Sequence, residues 1–147
     1  MLKIYAQYTG FYQIFLLSVF TLTLFFNHPA HSANSKKSVL VLHSYHQGLE
    51  WTDNISKGIQ STFRQYHNQY ELFYEYLDTK RNFGKEYTTK QLEYLLTKNQ
   101  KNNYDAIIVS DNNAFNFIKR NRNQLFPNHT PIIFCGVNNF QDALIDD

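Results

Sequence analysis

The sequence predicts an α/β fold, a parallel sheet of about four strands with helices on both faces. Three observations carry this. The segments "SVLVLHS" (residues 38–44), "YDAIIVSD" (104–111) and "TPIIFCGV" (130–137) are nearly continuous in Val, Ile, Leu and Phe, as strands buried on both faces are. The stretches between them carry apolar residues at helical spacing. Strand and helix patterns alternate in the order β-α-β-α-β-α-β, which calls for parallel pairing through right-handed crossovers.

The first strand runs through Val39–Leu42 and turns abruptly polar at His43. A helix follows in which Ile55, Ile59 and Phe63 recur every four residues, with Tyr66 three further on and Thr52 or Asp53 available as cap. In "YELFYEYLD" (70–78), Leu72, Tyr74 and Tyr76 alternate with Phe73, Glu75 and Leu77, which suits an edge strand with one wetter face. Tyr87, Leu92, Leu95 and Leu96 mark a second helix. Ala114, Phe117, Ile118, Asn121 and Leu125 mark a third, capped by Asp111 or Asn112 and ended at Phe126-Pro127. The fourth strand holds the only cysteine, Cys135, expected to be a buried, inert thiol. With one cysteine there is no internal disulfide, and the core must hold itself together.

Residues 1–33 have a different composition. Lys3 is their only charge, residues 11–26 are almost unbroken apolar, and Ala30-His31-Ser32 forms a small-residue site. A basic start, an apolar run of this size and such a site read as an export signal, removed or kept as a membrane anchor. Residues 35–147 then form one extracytoplasmic domain. The formal charge of +2 does not suggest a nucleic-acid partner, and Lys119, Arg120 and Arg122 are interrupted by Asn in the manner of a solvated helix face.

Every strand turns polar at its carboxyl end, and ligands of open parallel sheets gather there, near the point where strand order reverses. The aligned ends bring His43, Ser44 and Tyr45, then Asp78 and Thr79, then Asp111 and Asn112, then Asn138 to one edge, with Trp51 just beyond the first. Neither a strained Gly-x-Ser-x-Gly turn, a glycine-rich phosphate loop nor a set of metal ligands is present. The edge therefore suits an organic ligand, oriented by amphipathic rings and amides, with no cofactor. Two readings of the same residues stand beside this one: Asp111 or Asn112 as helix cap, and Trp51 as packing over the first strand.

The segments "VLVLHSYHQGLEWTDNISKGI", "YLDTKR", "YDAIIVSDNNAFNFI" and "TPIIFCGVNNF" resemble the periplasmic-binding-protein-like extracytoplasmic sensor domain of bacterial histidine kinases and diguanylate cyclases, also labelled ABC-transporter substrate-binding-protein-like. The resemblance runs from about Lys37 to the C-terminus. It implies the first lobe of a type I periplasmic-binding-protein fold that senses a small molecule without catalysis, ligand-facing positions at Ser44, Tyr45, Trp51, Asp111, Asn112 and Asn138, and a second lobe with a membrane-bound kinase or cyclase output as partners. The chain stops at "DALIDD" and is expected to be a truncated lobe. The alternatives are the binding component of an uptake system and, more distantly, an α/β hydrolase-type enzyme.

Overall fold

The computed structural model describes residues 35–99, 103–126, 129–141 and 143. The segment expected to direct export, Pro127 and Asn128 lie outside them. Strands β1 (Lys37–His43), β2 (Tyr70–Tyr76), β3 (Ala106–Ser110) and β4 (Ile132–Cys135) form one sheet in the order β2-β1-β3-β4, parallel throughout. Between them run α1 (Glu50–Phe63), α2 (Lys85–Asn99) and α3 (Asp111–Leu125), with a short 3-10 turn after α1. The α/β class, the parallel pairing and the edge position of β2 are as the hydrophobic pattern predicts.

Register decides which side chains share a face. Leu40 stands opposite Phe73 and Ile107, and Leu42 opposite Glu75 and Val109, while Ile132 and Phe134 extend the same row onto β4. This row packs with Leu95 of α2 and with Ala114, Phe117 and Ile118 of α3 in one core. Glu75, at its margin, pairs with Lys98 of α2. The intervening residues Val39, Val41 and His43 point the other way, toward α1, whose Ser56 reaches His43. Helices thus cover both faces, α1 on one and α2 with α3 on the other.

Coverage of the α1 face fades toward β4. Ile133 is 57% exposed, whereas Ile107, on the opposite face, is completely buried. Ile133→Thr is therefore expected to change stability by no more than about 0.5 kcal/mol, and Ile107→Ala to cost about 2–5 kcal/mol. Urea unfolding of the two variants against the parent chain measures the difference; equal losses would contradict the assignment of faces.

Two helix starts differ from expectation. Helix α1 begins at Glu50 with Leu49 as its cap residue, ahead of Thr52 and Asp53. Asp53 acts instead from inside the first turn, where its carboxylate accepts the N–H of Gly48. Gly48 has φ +91°, a conformation that glycine adopts without steric cost. Trp51 consequently belongs to the first turn of α1 rather than to a loop. In α3 the cap position is Ser110, yet its side chain does not cap. The hydroxyl that serves this helix comes from Ser44, just past the end of β1, through a bond from Ala114 N–H to Ser44 Oγ of 2.7 Å.

Candidate functional site

Sheet order reverses between β1 and β3, so the loops leaving those strands diverge and open a crevice at their carboxyl ends. Ser44 and Tyr45 leave β1 there, and Asp111 leaves β3 directly into α3. The Tyr45 hydroxyl donates to Asp111 Oδ1 at 3.0 Å across this point. Burial, the hydrogen bond to Asp111 and the charge of Asp111 all raise the Tyr45 phenol above its ordinary range. It therefore remains a donor at neutral pH.

Backbone strain concentrates at the same edge. Asp78 (φ +51°), Asp111 (φ +72°) and Asn139 (φ +52°) follow β2, β3 and β4 in left-handed conformations that disfavour side chains. Asp111 is the most informative, because it is only 7% exposed and already accepts from its neighbour, Asn112 N–H, at 2.7 Å. The strain is tolerated where the sheet hands over to the helix, and it turns a carboxylate back toward the crevice side of Tyr45.

Beneath this edge lies a buried hydroxyl–imidazole frame. Ser44, fully buried, donates to Ser110 O at 2.8 Å while accepting from Ala114 N–H. His43, also fully buried, lies between hydroxyls, with Nδ1 2.7 Å from Ser110 Oγ and Nε2 2.9 Å from Ser56 Oγ. Ser56 in turn donates to Thr52 O. A neutral imidazole with its proton on Nε2 satisfies every partner in this chain. Burial lowers its pKa to about 4 despite the opposing charge of Asp53. The frame thus fixes β1, β3 and α1 relative to one another.

The six residues expected at the site divide accordingly. Tyr45 and Asp111 touch. Trp51, 51% exposed, leans on the backbone of Gly136 after β4: a Cβ placed on that glycine would lie 3.4 Å from Trp51 Cζ2 and 3.7 Å from the Asp111 nitrogen. Both are ordinary contact distances, so it is the φ of +68°, which glycine adopts without steric cost, that favours Gly136 where the indole and the start of α3 meet. Asn112 and Asn138 form a two-bond clasp, in which Asn138 N–H donates to Asn112 Oδ1 at 3.0 Å and Asn112 Nδ2 donates to Asn138 O at 3.2 Å. Ser44 belongs to the cluster but faces inward with its hydroxyl committed, so it positions α3 instead of presenting a group to the crevice.

Other participants lie beyond those six. Lys80 holds its ammonium 4.9 Å above the Tyr45 ring, a cation–π contact. Asp78 gathers the loop after β2, accepting from Arg81 Nε at 2.8 Å and Asn82 Nδ2 at 2.8 Å. The Arg81 hydrogen bond holds its carboxyl below the usual range. His46 Nδ1 approaches the same carboxylate to 3.2 Å without the alignment of a hydrogen bond. The strand-end position of Asp78 was the available clue; Lys80 offered none.

Cys135 is half-buried, less enclosed than its apolar run suggests. Burial first and the negative charge of Asp111 second raise its thiol pKa, which disfavours a nucleophilic thiolate. Among the described residues no cluster of His, Cys, Asp or Glu could hold a metal ion, and no helix is long and apolar enough to cross a membrane. No protein-family model, curated protein or solved structure matches the chain.

Proposed function

We propose that residues 35–147 are a small-molecule-binding lobe of the periplasmic-binding-protein-like kind, the sensing part of an extracytoplasmic signal-transduction protein and not an enzyme. On this reading residues 1–33 direct export or anchor the chain, a second lobe completes the binding cleft, and a membrane-bound kinase or cyclase receives the signal. One observation carries the reading: the Tyr45–Asp111 bond spans the reversal of strand order, with Trp51 and the Asn112–Asn138 clasp around it. Rings that expose both a flat face and a polar edge, next to an almost buried carboxylate, orient an organic ligand and supply no nucleophile or base relay.

The indole gives the test. Trp51 is the only tryptophan, so its emission reports this edge alone. The full chain is titrated with a panel of amino acids, sugars, purines and organic acids up to millimolar concentration, because an open half-cleft binds weakly. At least one compound is expected to shift Trp51 emission saturably. A panel in which none does so defeats the reading.

A further inference from the structure

We infer that the groove between α2 and α3, which opens beside the strand-end edge at Thr79 and Asn113, is a second binding site, for an amphipathic organic monocarboxylate: a compact apolar body carrying one carboxylate. The groove is a cleft of about 190 Å³. Leu77, Phe83 and Phe117 supply apolar wall, Tyr87 and Gln91 line the α2 side, and Arg120 stands on the α3 side. A wider depression of about 500 Å³ adjoins it, sharing Thr88, Phe117 and Arg120 and adding Lys85 and Leu92. The two adjoin along the helix pair, with Arg120 common to both and Lys85 lining the wider part only.

The charge pattern selects the ligand. Arg120 uses Nε on Asn116 O at 3.1 Å, and no ion pair engages it among the described residues. Its two terminal nitrogens are left to receive a carboxylate in the forked geometry a guanidinium favours. None of the residues lining either part is acidic. The nearby carboxylates have partners elsewhere: Glu86 pairs with Lys90, and Asp78 with Arg81. Most of the other polar groups are bonded within the wall. Gln91 Nε2 donates to the Tyr87 hydroxyl, which donates to Leu77 O, and Asn113 Nδ2 donates to Thr79 Oγ1. Phe83, 82% accessible, projects at the mouth from the loop before Gly84, whereas Leu77 and Phe117, 2% and 3% accessible, line the groove as members of the core. A cationic or purely polar solute would leave either the guanidinium or the Phe83 ring without a counterpart. An apolar carboxylate matches both.

The experiment uses the full chain and three probes of similar bulk: octanoate, octanol and octylamine. Amide resonances are followed in two-dimensional NMR, and dissociation constants are taken from the shifts. Octanoate is expected to bind saturably, shifting Gly84, Thr88, Phe117 and Arg120 and leaving Tyr45 and Asp111 in place, with octanol and octylamine at least about tenfold weaker. Arg120→Gln, at an exposed position, should reduce octanoate affinity at least about tenfold, with Arg120→Lys between the two. Thr88→Trp, which fills the place where the two parts adjoin, should abolish binding with Arg120 intact. Asp111→Gly should leave octanoate binding unchanged, so failure of the strand-end reading and failure of this one are told apart. Equal binding of all three probes, shifts centred on Tyr45 and Asp111, or full affinity in Arg120→Gln would each overturn the assignment.

Discussion

Lowering the pH from about 6.5 to about 4 is expected to cost the fold on the order of 2–3 kcal/mol through His43 alone. The imidazole has a folded pKa of about 4 against an ordinary value of 6.5, so protons bind the unfolded chain more readily than the folded one. The stabilisation is fully present above pH 6.5 and is lost as pH falls through that window. The shift corresponds to about 3 kcal/mol at 1.36 kcal/mol per unit, and the lower end of the range allows for relaxation around the charged ring. Urea midpoints at half-unit pH steps measure the effect. In His43→Asn the decline between pH 6.5 and 4 should flatten, even if the variant is less stable throughout. Asp78, whose carboxyl pKa is depressed chiefly by Arg81, contributes in a different window: its stabilisation is present above the ordinary carboxylate range and declines below it. A parent chain with a level midpoint down to pH 4 would mean that His43 is not held neutral by the fold.

Asp111→Gly is expected to separate binding from stability. Glycine takes φ +72° without the steric penalty that aspartate bears there, a gain on the order of 1 kcal/mol. The change also removes the bonds the carboxylate accepts from Tyr45 and, locally, from Asn112 N–H, together worth about 1 kcal/mol or somewhat more. Gain and loss nearly cancel, so stability should stay within about 1 kcal/mol of the parent. Asp111→Ala loses the same bonds and keeps the strain, and should be about 1–2 kcal/mol less stable than the parent. Glycine thus outranks alanine inside the first turn of a helix, the reverse of intrinsic propensity. For any ligand that shifts Trp51 emission, both variants should lose at least about tenfold in affinity. Retained affinity in a folded Asp111→Gly chain would reduce Asp111 to a helix-capping residue.

The sheet was legible because burial on two faces leaves unbroken apolar runs, and alternation with helices leaves only parallel pairing. The candidate edge was legible for the same reason: four strands pointing one way must place their polar ends together. What the pattern could not show was which polar residue does which task. Ser110 occupies the ordinary capping position, yet its hydroxyl faces His43, and the helix is served by Ser44 from 70 positions earlier in the chain. Nothing local marks that exchange, since it follows from β1 and β3 lying side by side. Ser44 and Asp111 therefore looked alike as polar strand-end residues, while the hydroxyl of one is committed to α3 and β3 and the carboxylate of the other is held toward Tyr45. The start of α1 was misplaced because Asp53 bonds backward from within the first turn, where a sequence reading expects the cap itself. Lys80 escaped notice because a cation over an aromatic ring leaves no spacing to recognise.

The position of β1 has a consequence for how the chain assembles. Among the described strands it comes first in the chain and yet is a central one, paired on one side with β2 and on the other with β3. His43 meets Ser110 only when 67 further residues are present. Loop closure over that span must precede any gain from the Leu40–Ile107 and Leu42–Val109 contacts. Folding should accordingly be slower than in a helical protein of this size, with docking of β3 as the committing step. A chain emerging from its N-terminus passes through an interval in which β1 and β2 have paired but one backbone edge of β1 and the face bearing Leu40 and Leu42 are still open. That interval is when association with another chain competes most strongly with self-completion.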